Sequence, residues 1–233
     1  MFSNPEHADR TAVIVGAGGT LGSALTEAFH KSYPVVAVYR NRLPSAHERV
    51  TPLHADLADP LSSSKICDAV PGDIGALIIN AGTNEDRLLV NESVARLEAA
   101  IDSFVSAPRR IIRTFGKRLR GGHVVLIGSA VGIRGARGQS VYAAVKGALI
   151  GLMYELAPEL AIHDTRINTI VPGVFASSMT AAMNRTAYDS LVNDNLLRRE
   201  QSPDDVARFA VQLGFLSAAS CQVFSLDSRP LAR

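Results

Sequence analysis

The amino-acid sequence predicts an α/β protein built on a doubly wound parallel sheet with helices on both faces. Short, β-branched apolar runs alternate with longer segments of helical periodicity along the chain, which is the pattern of a parallel sheet covered on both sides. A glycine-rich passage, VGAGGTLG at 15–22, follows the first apolar run and opens the first helical segment. We therefore expect one domain over residues 1–233, with ligands at the carboxyl ends of the strands.

The predicted elements follow from period and composition. β-branched runs that end at glycine, proline or charged residues predict strands, and the longer amphipathic segments between them predict helices. The predicted strands are 11–18, 34–40, 53–57, 76–82, 123–130 and 166–173, and the predicted helices are 21–32, 60–70, 91–119, 141–163 and 203–217.

Composition and charge exclude several classes of protein. The chain has 233 residues, of which 47% are hydrophobic, and a net charge of +2. That charge is too small to favour nucleic-acid binding. Cys67 and Cys221 stand far apart without a CxxC motif, so neither a metal centre nor a disulfide is predicted. The N-terminus has no apolar run and no stretch reaches about 18 apolar residues. We expect a soluble, cytoplasmic protein without a membrane segment.

The glycine-rich passage predicts a dinucleotide site. Gly16, Gly19 and Gly22 are spaced three apart between a strand and a helix. In that context a glycine backbone lets a pyrophosphate approach, and the helix N-terminus favours its charge. The alternative is a strand–helix turn without a ligand, because a glycine pattern alone is a weak signal.

Arg40 at the end of the second predicted strand favours NADP(H) over NAD(H). An acidic residue at this position binds the ribose 2′-hydroxyl, whereas an arginine accepts a 2′-phosphate. The sequence has Arg40, with Arg42 close by, and no acid before Glu48. The alternative is an arginine that only faces solvent.

Ser129, Tyr142 and Lys146 are the candidate catalytic residues. Tyr142 and Lys146 are four apart, which puts them on one helix face, and Ser129 ends a predicted strand thirteen residues before Tyr142. An ammonium one turn away is expected to lower the pKa of the tyrosine, which would suit it to acid–base chemistry at neutral pH. Ser129 would hold the substrate oxygen. The alternative is a structural helix with a partly buried tyrosine and a lysine that extends to solvent.

Three further motifs accompany these residues: HADL at 54–57, INAG at 79–82 and NTIVPGVFASSM at 168–179. With them, the chain resembles the short-chain dehydrogenase/reductase family over nearly its whole length. In length and in YAAVKGALIG at 142–151 it resembles the 3-oxoacyl-(acyl-carrier-protein) reductases of that family. The resemblance implies a Rossmann-type fold, no metal, and an NADP(H)-dependent enzyme that reduces a small ketone or 3-oxoacyl substrate, or oxidises the secondary alcohol, with Tyr142 as the acid or base. The cofactor residues it implies are Gly16, Gly19, Thr20, Leu21, Arg40, Asp56, Leu57, Asn80, Ala81, Gly82, Tyr142, Lys146, Pro172, Gly173, Val174 and Ser177.

The chain departs from the family pattern at three places. Thr20 stands where the loop usually has its central glycine, and Gly19 stands where many NADP-dependent members have a basic residue. The family's relay asparagine is missing from AIDSFVSAPRR at 100–110, where Asp102, Ser103 or Phe104 takes its position. The glycines usual around the last strand are Cys221 and Ser228. These departures leave a catalytically weak or inactive NADP-binding regulator as the alternative function.

The remaining expectations concern substrate and partners. The segment 179–203 should cover the substrate, and residues 132–139 should line its other side. Residues 103–154 hold no Asp or Glu, and 109–120 forms a basic helix. This helix either faces solvent or docks an acidic acyl-carrier protein. The family habit implies a homo-oligomer, a tetramer or a dimer, with 91–119 and 141–163 at the contact.

Overall fold

The computed structural model describes residues 9–82, 86–181 and 183–229. The strands are β1 (Thr11–Val15), β2 (Val35–Tyr39), β3 (Val50–His54), β4 (Ile74–Ile79), β5 (His123–Ile127), β6 (Arg166–Val171) and β7 (Val223–Ser225). The helices are α1 (Thr20–Phe29), α2 (Ser62–Ala69), α3 (Val94–Ile101), α4 (Ala107–Phe115), α5 (Val131–Arg134), α6 (Ser140–Ala161), α7 (Arg185–Asn193) and α8 (Pro203–Leu213). The N-terminal run expected to lack a signal sequence lies mostly outside the described residues.

The seven strands form one sheet in the order β3-β2-β1-β4-β5-β6-β7, and every adjacent pair is parallel. The prediction of a doubly wound parallel sheet is confirmed. The chain runs outward from β1 in one direction through β2 and β3, and in the other through β4 to β7. The strand order therefore reverses between β1 and β4, and the crevice at their carboxyl ends is where such sheets bind ligands.

Both faces of the sheet are covered, because alternate residues of a strand point to opposite sides. Val13 and Leu77 pack with Ile111 of α4 and Met153 of α6 on one face. On the other face, Ile14 packs among side chains of α1 and α8. All five residues of β1 are buried, which is typical of a strand covered on both sides.

The prediction of one continuous helix over 91–119 is wrong. The structure has α3, a π-helical turn at Asp102–Ser106, α4, and a 3-10 turn at Gly116–Leu119. Gly116 has φ +47° and ends α4. Apolar periodicity runs through all four pieces, so the sequence pattern does not reveal the breaks. The predicted strand 53–57 is also displaced, because β3 begins at Val50 and ends at His54.

Helix α6 is close to its predicted bounds and is the longest helix among the described residues. By length and composition alone it could cross a membrane. Its apolar residues Val145, Leu149, Met153 and Leu156 are buried against the sheet, which is the environment of a core helix. Helices α5 and α7 were not predicted, because they are short and lie among loop-like sequence.

Candidate active site

A cleft of about 2010 Å³ runs along the carboxyl ends of the strands. It is lined by the turn after β1 and by the segments after β2 to β6. The structure brings every predicted site residue to this cleft: Gly16, Gly19, Thr20, Leu21, Arg40, Asp56, Leu57, Asn80, Ala81, Gly82, Ser129, Tyr142, Lys146, Pro172, Gly173, Val174 and Ser177.

The glycines of the first turn are constrained to different degrees. Gly16 has φ +91°, and a Cβ there would lie 2.7 Å from the backbone N of Ala81. A Cβ on Gly22 would lie 2.1 Å from the carbonyl of Gly16. Gly19, although part of the predicted spacing, has open space around it, whereas Gly18, which the spacing argument missed, would meet the carbonyl of Arg42 at 2.4 Å. Positions 16, 18 and 22 therefore require glycine, and position 19 does not.

The start of α1 is suited to an anion. Gly19 precedes the helix without a side-chain cap, and its first turn holds no acidic residue. The first backbone N–H groups of a helix have no partner within the helix, and they carry its positive partial charge. Asn80 holds the adjoining turn, because its Nδ2 donates to the carbonyl of Gly16 at 3.0 Å. The turn thus has the open donors that a pyrophosphate needs.

Arg40 lies at the mouth of the cleft and faces Asp56. Its Nη1 is 3.9 Å from Asp56 Oδ1, and the two side chains are 47% and 46% exposed. Asp56 Oδ1 also accepts a hydrogen bond from the backbone N of Ala58 at 3.1 Å. The guanidinium therefore has a carboxylate partner on one side, and Arg42 lines the same end of the cleft.

Ser129 and Tyr142 both line the cleft, and their side chains are hydrogen-bonded to each other. Ser129 follows β5, and its Oγ accepts from the backbone N of Val131 at 3.3 Å. Burial raises the pKa of Tyr142, and a hydrogen bond with Ser129 acts in the opposite direction more weakly. The expected lowering of this pKa by the lysine is therefore wrong for the protein without cofactor. A tyrosine that keeps its proton is equipped to donate it.

Lys146 is buried beneath Tyr142. Its Nζ donates to the carbonyl of Ile127 at 2.7 Å and lies 5.7 Å from the centre of the Tyr142 ring. Burial lowers its pKa to about 8. The predicted alternative of a lysine reaching to solvent is wrong, since the residue is only 5% exposed.

Of the three residues that could replace the family's relay asparagine, Phe104 is the one that lies beside Lys146. The Lys146 Nζ is 5.1 Å from the centre of its ring, and the ring meets Tyr142 edge-on with centroids 5.9 Å apart. Asp102 instead bonds Arg110 at 2.8 Å, which holds the pKa of Asp102 below its usual value. Ser103 lines the cleft. Phe104 is buried and belongs to the π-helical turn at 102–106, and π-turns are frequent at functional sites.

The substrate end of the cleft is lined by Met179, Thr180, Met183 and Asn184, and by Ala187 and Leu191 of α7. These residues fall within the predicted segment 179–203, of which Ala182 lies outside the described residues. Much of 132–139 lines the cleft as well, including Arg134 but not Arg137. Sequence reasoning missed Arg229, which also lines the cleft and forms an ion pair with the buried Asp227. No sequence signal marks this residue.

Several basic residues of the segment 109–120 serve the fold. Arg118 donates to the carbonyls of Gly72 at 2.8 Å and Cys67 at 3.0 Å. Arg110 is paired with Asp102, and the Arg109 guanidinium lies 3.8 Å from Glu155. Among the other cations of this segment, Arg113, Lys117 and Arg120 are exposed.

The family model described as short chain dehydrogenase matches residues 10–187. The chain belongs to the short-chain dehydrogenase family and is an oxidoreductase.

Curated relatives cover most of the chain. Nodulation protein G of a Rhizobium species is 28% identical over 227 residues, which are 90% of this chain and 91% of that protein. The 3-oxoacyl-(acyl-carrier-protein) reductase FabG of Rickettsia felis is 29% identical over 208 residues, covering 85% and 86%. A 3-oxoacyl-(acyl-carrier-protein) reductase of Bos taurus is 35% identical over 147 residues, covering 61% and 60%.

Two solved structures share the fold. The RhlG/NADP active-site complex of Pseudomonas aeruginosa superposes with a TM-score of 0.85 at 22% identity, covering 95% of this chain and 96% of that chain. A short-chain dehydrogenase/reductase of Brucella melitensis superposes with a TM-score of 0.88 at 24% identity, covering 96% and 97%.

Proposed function

We propose that the chain works as one domain and is an NADP(H)-dependent carbonyl reductase for a small ketone or 3-oxoacyl substrate, with the secondary alcohol as its product. The observation that carries the proposal is the grouping of Ser129, Tyr142 and Lys146 in the cleft that also contains the glycine-rich turn. In this role Gly16, Gly19, Thr20, Leu21, Asp56, Leu57, Asn80, Ala81, Gly82, Pro172, Gly173, Val174 and Ser177 border the cofactor.

The proposed roles follow from protonation and contact. When bound, the nicotinamide supplies the hydride for reduction. Ser129 donates a hydrogen bond to the substrate oxygen, and Tyr142 gives that oxygen its proton. The raised pKa of Tyr142 keeps the proton available at neutral pH, and the positive charge of Lys146 stabilises the phenolate left behind. Because the pKa of Lys146 is about 8, its positive charge is present at pH 7 and is lost as the pH rises above about 8.

The preference for NADP(H) is proposed from Arg40 and Arg42. Both line the cleft beyond β2, and guanidinium groups suit phosphate. The test compares the Kd of NADPH and NADH for wild type and Arg40→Ala. We expect wild type to bind NADPH more tightly and the variant to lose that preference without losing NADH. Equal or tighter binding of NADH by wild type would contradict the proposal. Arg208→Ala, a change on the exposed face of α8, is the matched control.

An acyl-carrier protein is the proposed macromolecular partner, supported by the names of the curated relatives. The acidic carrier would meet Arg113, Lys117 and Arg120. Arg118 is unsuitable for a charge-reversal test because it holds backbone carbonyls.

The docking test uses Arg113→Glu together with Arg120→Glu. We expect a raised KM for carrier-bound substrate and an unchanged KM for the same acyl group on a small thiol. Arg208→Glu, an exposed reversal on α8, should change neither. A KM for carrier-bound substrate that stays at the wild-type value in the double variant would refute docking on this segment.

We also propose a soluble, cytoplasmic homo-oligomer, a tetramer or a dimer, formed through α3, α4 and α6. Val94 and Ile101 of α3 and Tyr154 of α6 are 72%, 42% and 54% exposed, so a contact through these helices would bury large apolar side chains. Light scattering on wild type and on Ile101→Glu tests it. We expect the variant to form smaller assemblies, and a monomeric wild type would contradict the proposal.

A further inference from the structure

Two histidines and a glutamate converge on the outer side of the fold, away from the catalytic residues. Glu27 and His30 lie at the end of α1, and His47 lies in the loop between β2 and β3. The Nε2 of His30 is 3.2 Å from Glu27 Oε1, and the Nε2 of His47 is 3.1 Å from Glu27 Oε2. Glu27 and His30 are three residues apart on α1, and His47 lies seventeen residues further along the chain, so no familiar metal-binding spacing reveals the group.

The separations fit one metal ion. A tetrahedral zinc with ligands at about 2.0–2.1 Å has neighbouring ligand atoms roughly 3.3 Å apart. Each imidazole nitrogen already lies at about that distance from the Glu27 carboxylate, His30 Nε2 from Oε1 and His47 Nε2 from Oε2. With one ligand atom taken from each residue, the three atoms lie within 4.8 Å of one another. To bind one ion together with the carboxylate, the two imidazole nitrogens must draw closer to each other. The imidazole rings are stacked with centroids 4.4 Å apart, so the ring of His47, whose side chain is 31% exposed, must tilt.

The chemistry of the donors selects the class of metal. Two imidazoles and one carboxylate bind zinc and similar transition metals, and they leave a fourth position for water. A cavity of about 370 Å³ lined by Glu27, His47, Ser45 and Asp204 adjoins the group, which provides space for that water. Lys31, with its Nζ 3.5 Å from Glu27 Oε1, is the cation that a metal would have to displace from the carboxylate.

From this geometry we propose that Glu27, His30 and His47 form a binding site for Zn²⁺ or a similar divalent transition metal, which ties the β2–β3 loop to α1. The loop also carries Arg42, whose carbonyl faces Gly18 of the cofactor turn. The ion is structural in this proposal and takes no part in the reaction, because the site lies on the opposite end of α1 from the cleft.

The test titrates the full-length, metal-free chain without an affinity tag with ZnCl₂ by calorimetry. We expect one zinc per chain in wild type and affinity at least about tenfold weaker in His47→Gln and in His30→Gln. His163→Gln, a histidine in the turn after α6, is the matched control and should bind as wild type does. Hydrogen exchange in residues 41–49 should slow when zinc is added to wild type and stay unchanged in His47→Gln.

Three results would overturn the proposal. One is a wild type that binds no zinc. The second is zinc binding that His47→Gln leaves intact, which would assign the ion to Cys67, Cys221 or another group. The third is zinc binding without slower exchange in 41–49, which would remove the link between α1 and the loop. The variants change partly exposed side chains, so their unfolding curves should match wild type and verify that lost binding is local.

Discussion

Replacing Lys146 by methionine should abolish activity and stabilise the cofactor-free protein. The lysine amine is buried among Ile127, Tyr142 and Phe104, and burial lowers its pKa from 10.5 to about 8. A shift of one pKa unit corresponds to about 1.4 kcal/mol, so keeping this amine charged at pH 7 costs about 3 kcal/mol. Methionine has a similar length and no charge. Loss of the hydrogen bond to Ile127 offsets about 1 kcal/mol, which leaves a net gain of about 2 kcal/mol.

The pH dependence separates charge burial from better packing. In the folded protein the pKa of Lys146 is below its unfolded value, so wild type becomes more stable as pH rises from about 8 to 10.5. The advantage of Lys146→Met should therefore be largest at pH 7 and shrink toward pH 10. Urea unfolding of both proteins at pH 7 and 10, without cofactor, measures it.

Either of two results would refute this reasoning. A variant less stable than wild type at pH 7 would mean that the amine stabilises the fold. An advantage that is the same at both pH values would mean that packing, and not charge, causes it. Lys117→Met, a change at an exposed lysine, is the matched control and should alter stability by no more than about 0.5 kcal/mol.

Three further predictions concern the core and the cleft. Phe104→Asn should admit water to Lys146 and move the alkaline limb of the kcat–pH profile upward from about 8, whereas Phe104→Leu should not; identical profiles would contradict the role of Phe104. At Gly82, where φ is +144°, an added Cβ would lie 2.1 Å from Phe104 Cε1. Gly82→Ala should therefore lower the free energy of unfolding by at least about 1–3 kcal/mol. Urea unfolding measures this loss, and the control Gly19→Ala should not show it. Burial lowers the pKa of His123 to about 3, so the free energy of unfolding should fall by about 2 kcal/mol as the pH is lowered from 6.5 to 5. In His123→Gln this part of the decline should be absent. A variant with the same decline as wild type would contradict the assignment to His123.

The sequence predicts the sheet and the cleft residues because their signals are local. Parallel strands covered on both faces appear as continuous apolar runs, and the turn after β1 requires glycines in any such site. The tyrosine and lysine share a helix face through their spacing alone. These features need no knowledge of distant contacts.

The features that sequence reasoning missed depend on tertiary contacts. Gly18 is constrained only because the carbonyl of Arg42 approaches it. Phe104 lies beside Lys146 within a π-helical turn that the sequence pattern does not reveal. The pKa of Tyr142 rises because burial outweighs the hydrogen bond with Ser129, and burial cannot be inferred from sequence spacing. By sequence Arg118 is one cation of a basic segment, whereas in the structure its guanidinium donates to the carbonyls of Cys67 and Gly72.

The measurement that tests the proposed activity most directly is NADPH oxidation with a short 3-oxoacyl thioester and a panel of simple ketones, comparing wild type with Tyr142→Phe. The variant removes one hydroxyl and should keep the Kd of NADPH, which is measured alongside. We expect turnover by wild type and a loss of about 10²–10⁴-fold in the variant. Equal turnover by the two proteins would contradict the role of Tyr142 as the acid. NADPH binding without turnover of any substrate by wild type would contradict the proposed activity itself and favour a cofactor-binding regulator.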